Sequence, residues 1–253
     1  VIRTLWVAAC MLVVTPPLAL IIVVRSFLPG RAERLYDRIP RIWARCALWV
    51  SGARVDAFGL EHVAADRPQI LLANHASWYD VLALATILPR RYRFVGKVEL
   101  TRVPLWGRAW LAAGHIPIDR SDTERAIESL DRAARMVRAD NSSIIIFPEG
   151  TRSVTGELLP FKKGGFMLAI RAGIEVVPVG ISGTRAILPK GGWRVRSGRI
   201  IVRFGEPIPA AGCQPEARDE LMLRARTTMQ RLIDASTTEL DEANVRHTQR
   251  PRT

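Results

Sequence analysis

Gln69-Ile70-Leu71-Leu72-Ala73-Asn74-His75 is a short apolar run closed by two polar residues, and Ser77 to Leu88, followed by Pro89, is a second apolar stretch of helical length. A strand that hands over directly to a helix is the unit of an α/β layer. The same alternation recurs outward from it. Arg54–Phe58 and Tyr92–Gly96 read as strands, Pro104–Ala113 as a helix with Pro104 near its first turn, and Ile116–Ile118 as short and apolar. Asp122–Ala139 has helical periodicity through Ala126, Leu130, Ala133, Ala134 and Val137, with Ser121 as its cap. Ile144-Ile145-Ile146-Phe147 is a second strongly buried strand, Gly164–Ala172 a helix, Glu175–Val179 and Arg199–Phe204 strands, and Pro215–Leu240 a helix. The charged segment from Asp241 is expected to fray, leaving residues 246–253 as a disordered tail. No repeat or linker divides residues 53–245, which read as one domain with a largely buried sheet.

The 253 residues fit one sizeable domain with an appendage, or at most two small ones. At 48% hydrophobic residues the chain has material for a full core, which argues against disorder. Its net charge of +13 points to anionic partners, either nucleic acid or an anionic membrane surface. Cys10, Cys46 and Cys213 lie far apart with no C-x-x-C pair, so neither a disulfide framework nor a zinc site is expected. They read as buried small apolar residues in a reducing setting.

Thr4 to Val24 holds no charged residue and is bracketed by Arg3 and Arg25. As a helix, these 21 residues would reach roughly 31 Å, close to the thickness of a bilayer core. Pro16-Pro17 interrupts the run, so a straight helix is not expected, and a kinked span or a hairpin dipping into one leaflet fits better. A cleaved signal is disfavoured because Phe27-Leu28-Pro29-Gly30-Arg31 lacks a small-x-small site, and a buried core helix is the other alternative to an anchor. Arg25, Arg31, Arg34, Arg38, Arg41 and Arg45 then crowd one side, which would hold that side cytoplasmic. With Trp43 and Trp49 among them, the segment suits a headgroup layer, up to a helix end at Gly52. The alternative is a helix packed on its own domain with a solvated basic face. Residues 1–52 are thus expected to form membrane-anchoring helices.

The chemistry sits just after two of the strands, where open α/β sheets keep their sites. His75 follows one strand, and Asp80 lies five residues on in the next helix, placed to reach back to one imidazole nitrogen. That contact fixes the tautomer and leaves the other nitrogen to take a proton. No convincing nucleophile accompanies them. Gly180-Ile181-Ser182-Gly183-Thr184 misses the last glycine of G-x-S-x-G, and Ser77 carries no mark of activation. The base is therefore expected to deprotonate a substrate hydroxyl directly. No G-x-x-x-x-G-K-[ST] loop is present, which weakens nucleotide-dependent phosphoryl transfer. Arg152, after Gly150-Thr151, offers a fork for an oxyanion, and Arg120 and Lys97 are further candidates.

Four blocks in order resemble the 1-acylglycerol-3-phosphate (lysophosphatidic acid) acyltransferase family. They are Asn74-His75-x-x-x-x-Asp80, Gly114-x-Ile116-x-Ile118-Asp119-Arg120, Phe147-Pro148-Glu149-Gly150-Thr151-Arg152-Ser153 and Val176-Val177-Pro178-Val179, and Pro160–Phe166 also fits the segment after the third. The resemblance implies a single glycerolipid-acyltransferase-like α/β domain, with a central, mostly parallel sheet flanked by helices, plus an N-terminal membrane-associated helical element. It implies His75 as general base with Asp80 its partner. It implies that Glu149, Gly150, Thr151 and Arg152, with Arg120 and Lys97, form the acceptor-phosphate side. The implied reaction moves an acyl group from coenzyme A or acyl carrier protein to the sn-2 hydroxyl of lysophosphatidic acid at the cytoplasmic face of the cell membrane. No metal or bound cofactor is implied, because the thioester is a co-substrate. Backbone donors around Gly150 are the expected oxyanion site.

Three other readings compete. A sibling enzyme would use another acceptor, such as a lyso-ornithine lipid, a lysophospholipid with a headgroup, or a glycolipid. A catalytically silent membrane-binding protein is disfavoured by the intact His75/Asp80 pair. A nucleic-acid binder is disfavoured because no binding motif accompanies the spread basic residues.

Overall fold

The computed structural model describes residues 1–30, 32–89, 91–119 and 123–248. Two helices come first, α1 (Ile2–Ser26) and α2 (Glu33–Ser51). They lie antiparallel: the Arg3 guanidinium donates to the Ser51 carbonyl (2.9 Å), and Trp43 Nε1 donates to Thr15 Oγ1 (2.9 Å). No hairpin forms within the run, since α1 passes through Pro16 and Pro17 as helix; the hairpin is made between α1 and α2 instead. Each proline removes one donor, but its φ is already helical. The helix packs on α2 and on α4 (Trp106–Ala112), with the Trp43 bond one residue ahead of the pair. By length and composition α1 is able to cross a membrane.

On α2, Ile39, Ala44, Ala47, Leu48 and Val50 turn inward, while Arg34, Arg38, Ile42, Arg45 and Trp49 form the exposed stripe. The helix therefore packs on its own domain and still presents a basic, tryptophan-bearing face. It ends where expected, at Gly52. There φ is +71°, and the glycine amide donates to the carbonyls of Leu48 and Trp49.

The body alternates strands and helices: β1 (Ala53–Phe58), β2 (Ile70–Ala73), α3 (Trp78–Ile87), β3 (Tyr92–Lys97), α4, β4 (Ile116–Ile118), α5 (Thr123–Asp140), β5 (Ser143–Ile146), α6 (Gly164–Ala172), β6 (Val176–Ser182), α7 (Thr184–Ile187), β7 (Gly198–Phe204) and α8 (Arg218–Thr248). The strands form one sheet in the order β1-β7-β6-β2-β5-β3-β4. Only the β6–β7 pairing is antiparallel among the described strands, so β1 and β7 run against the other five.

Alternation along the central strands builds two cores. Leu71, Ala73, Ile145, Val177 and Val179 face α2 and α3, while Ile70, Leu72, Ile144, Ile146 and Val176 face α5, α6 and α8. A sheet covered on both faces explains why these strands are apolar without a break.

Three local expectations change. Pro104 lies outside α4, because Leu105 at φ +60° turns the chain before Trp106. The helix α8 passes Asp241 and continues to Thr248. Glu239 is tied to both Arg199 and Arg203 (2.6 and 2.5 Å), which secures the helix just before the charged segment. Cys10, Cys46 and Cys213 are unpaired but half-buried rather than fully buried. Ser121, the expected cap of α5, lies outside the described residues.

Candidate active site

β2 and β5 are parallel neighbours in matched register, Leu72 opposite Ile146, so the loops that leave their carboxyl ends emerge side by side. One loop carries His75 and the other Phe147 to Ser153. Three contacts lock them together. The His75 amide donates to Glu149 Oε1 (2.7 Å), the Ser153 amide donates to the His75 carbonyl (2.7 Å), and the imidazole stacks on Phe147 (4.0 Å, 18°). On the other side, Asn74 clips the loop to β6 by pairing with both backbone groups of Ile181 (2.7 and 2.9 Å).

Ser77 caps α3, accepting from the Tyr79 amide and donating to the Leu188 carbonyl. Asp80, in the first turn, reaches back in a capping box. Its Oδ2 accepts from His75 Nδ1 (2.8 Å), the Ala76 amide (2.7 Å) and the Ser77 amide (2.8 Å). Since the backbone amides can only donate, that oxygen is an acceptor and Nδ1 carries a proton. In the neutral ring the lone pair is then on Nε2. Asp80 is fully buried and the His75 side chain is 15% exposed, so the carboxylate is sealed off and the ring edge stays reachable.

The ring faces a cavity of about 430 Å³. Its wall is apolar, with Leu18 and Ile22 from α1, Trp43 from α2, Leu82 from α3 and Trp110 from α4. His75, Thr151, Arg152 and Lys97 also line it. The Arg152 guanidinium lies over the Trp78 ring at 5.3 Å, a stacking arrangement that leaves its fork edge available. Lys97 pairs with Glu99 (2.6 Å) at the exposed rim, and that bond holds the Glu99 carboxyl below its usual range.

Two expected phosphate-side residues are otherwise employed. Glu149 is buried, and both its oxygens are taken, one by His75 N and the other by Leu159 N (3.0 Å), so it braces the two loops and does not face the cavity. Burial pushes its carboxyl above the usual range, against the lowering effect of those two amides. Gly150 sits at φ +72°, the left-handed turn that favours glycine, and its amide donates to the Phe147 carbonyl (3.0 Å). That amide is therefore not an oxyanion donor. Arg120 lies outside the described residues.

The sequence reading missed several supports. Phe147 and Trp78 lie inside the quoted blocks but gave no sign of acting as platforms. Lys190 lies outside every block, yet its Nζ donates to Thr151 Oγ1 (3.1 Å) and to the Arg152 carbonyl (2.9 Å). His115, in the second block, is buried on the cavity wall and accepts from the Phe94 amide at Nδ1 (3.1 Å). Burial, aided by the Arg93 charge, pushes its pKa down to about 3.

A family model described as Acyltransferase matches residues 54–182. Among curated relatives, a 1-acyl-sn-glycerol-3-phosphate acyltransferase from Cocos nucifera is 37% identical over 178 residues, 70% of this chain and 56% of its own length. One from Limnanthes douglasii is 34% identical over 216 residues, 85% of this chain and 76% of its own. The alpha form from Bos taurus is 35% identical and is covered over 63% of its length. The chain thus spans little more than half the length of the coconut relative. Among solved structures, the 1-acyl-sn-glycerophosphate (LPA) acyltransferase PlsC from Thermotoga maritima superposes with a TM-score of 0.76 at 26% identity, covering 91% of this chain and 95% of that one.

Proposed function

The chain belongs to the Acyltransferase family, and from that premise we propose that it transfers a fatty acyl group from an acyl thioester to the sn-2 hydroxyl of 1-acyl-sn-glycerol-3-phosphate, giving phosphatidic acid. The observation that carries this reading is the His75 Nδ1–Asp80 Oδ2 bond of 2.8 Å, which leaves Nε2 as the uncommitted nitrogen of a ring that, with Arg152, lines an apolar cavity. An acyl chain fits the cavity wall, a phosphate suits the arginine, and a base lies between them.

In the reaction, the acceptor hydroxyl gives its proton to His75 Nε2 as its oxygen bonds to the thioester carbonyl carbon. The imidazolium that forms is stabilised by Asp80. The C–S bond then breaks, and the proton passes from His75 to the leaving thiolate. Charge on the carbonyl oxygen needs donors. The Gly150 amide is occupied, so that role is assigned to the amides of Thr151 and Arg152, cavity-lining residues on a loop held by Lys190. Arg152 grips the acceptor phosphate, with Lys97 and Arg120 as auxiliary charges. A thioester is already activated, so the step calls for no metal or prosthetic group beyond the co-substrate. Coenzyme A and acyl carrier protein are both acidic carriers suited to a chain of net charge +13.

Membrane association follows from the substrate and is supported by α1, a long apolar helix on which Ile2, Leu5, Leu12, Val13, Leu20 and Ile21 are exposed. The exposed arginines of α2 favour the cytoplasmic face. The direct test is purified protein given lysophosphatidic acid and labelled oleoyl-coenzyme A, then acyl carrier protein as donor, alongside a panel of other lyso-lipids. Labelled phosphatidic acid is the expected product. Transfer to another lyso-lipid alone would reassign the acceptor, and no transfer from either donor would remove the reading.

A further inference from the structure

Three separated segments meet at one corner of the molecule. The Val195 amide donates to Thr4 Oγ1 (2.9 Å), joining the loop between α7 and β7 to the first turn of α1. The Arg3 guanidinium reaches the Ser51 carbonyl (2.9 Å), joining the same turn to the end of α2. Ser197 packs against Gly52, closing the triangle. Each segment carries an outward tryptophan: Trp6 is 55% exposed, Trp49 78% and Trp193 58%. Indole rings are mostly buried, so three exposed ones on segments that are tied together here suit an apolar or half-apolar partner.

The cleft beside Trp193 is lined by Arg185, Arg194 and Arg196, with no acidic side chain among its described lining residues. The Arg194 guanidinium lies 5.2 Å from the Trp193 ring. Arg45 adds its charge one turn before Trp49 on the exposed stripe of α2. Indole rings settle at the boundary between acyl chains and headgroups, and arginines beside them meet anionic lipid there.

We infer that the loop Pro189–Arg196 is a membrane-contacting element of the catalytic body itself, seating Trp193, Arg194 and Arg196 in the headgroup layer of anionic phospholipid. In the α1 turn tied to this loop, Ile2 and Leu5 are also exposed. The start of the same loop holds the acceptor clamp, because Lys190 binds both Thr151 and the Arg152 carbonyl. Seating the loop in the headgroups therefore sets Arg152 near the depth at which a lysophosphatidic acid phosphate lies. This inference rests on the membrane association proposed above.

The test uses the full chain on phosphatidylcholine vesicles with and without phosphatidylglycerol, with brominated lipids as contact quenchers. The difference in quenching between wild type and Trp193→Phe isolates Trp193 from the other tryptophans. Strong quenching of Trp193 by shallow bromines is expected, greater on anionic vesicles. The variant Arg194→Gln/Arg196→Gln should lower the loop-contact equilibrium by about fivefold per arginine while the thermal midpoint stays put. Quenching of the remaining tryptophans without Trp193 would overturn this inference and leave membrane association standing. No quenching at all would overturn both. An unchanged Trp193 signal in the arginine variant, together with a raised KM for acyl-coenzyme A, would assign the loop to the donor's phosphates instead.

Discussion

Replacing Asp80 by asparagine removes one charge and almost no volume, at a position where a single oxygen serves both the base and the helix cap. Asp80 Oδ2 takes bonds from His75 Nδ1, Ala76 N and Ser77 N, and the asparagine carbonyl can accept all three in the same place. Fold and tautomer should survive, and the lost quantity is the attraction between carboxylate and imidazolium. At the 2.8 Å separation, with an effective dielectric near 20, that attraction is about 6 kcal/mol as an upper bound. Water at the exposed edge of the ring recovers part of it, so a fall in kcat of roughly 10²–10⁴-fold is expected, or about 2.7–5.5 kcal/mol of transition-state stabilisation. The assay is release of free thiol from acyl-coenzyme A in the presence of saturating lysophosphatidic acid, paired with thermal unfolding of the same preparation. A variant within threefold of wild type in kcat would refute the reasoning, since the buried carboxylate would then be a helix cap and nothing more.

Three further outcomes follow from the same geometry. Arg152→Ala should raise KM for lysophosphatidic acid by about 10–10²-fold, one charge-assisted bond's worth, with a smaller effect on kcat; an unchanged KM would remove the clamp. Ala109 is buried beside α1 and lines the cavity, so Ala109→Phe should shift preference toward shorter acyl donors, read by competition between donors of different length. His115 stays neutral in the fold until about pH 3, whereas in the unfolded chain it takes a proton as pH falls through about 6.5. The unfolded state thus gains the proton first, and stability drops as pH falls across that window, by of order 1 kcal/mol per unit. Urea unfolding of His115→Gln, which keeps an acceptor for the Phe94 amide, should show a flatter loss between pH 6 and pH 4.

Much of the layer architecture was readable because both faces of the central strands are covered. Continuous runs such as Ile70–Ala73 and Ile144–Ile146 leave few other interpretations. The partner of His75 was equally accessible, since an aspartate in the first turn of a helix reaches back to the preceding loop. What could not be read is pairwise and long-range. Nothing local says that β2 lies beside β5, and that register is what makes Glu149 a brace for His75 instead of a phosphate contact. Lys190 is 38 residues from Arg152 and meets it only in the folded chain, where it follows α7, a helix packed against α3. The prolines of α1 suggested a hairpin within the run for the same reason, because local chemistry opposes a helix there while α1 also packs on α2 and α4.

The proton acceptor itself admits the shortest experiment. His75→Ala, purified in membrane-mimicking lipid and given lysophosphatidic acid with oleoyl-coenzyme A or acyl carrier protein donor, should form phosphatidic acid at least about 10²-fold more slowly than wild type, with its thermal midpoint close to wild type. Turnover within a few fold of wild type, in a protein that folds normally, would contradict the assignment of the imidazole as base.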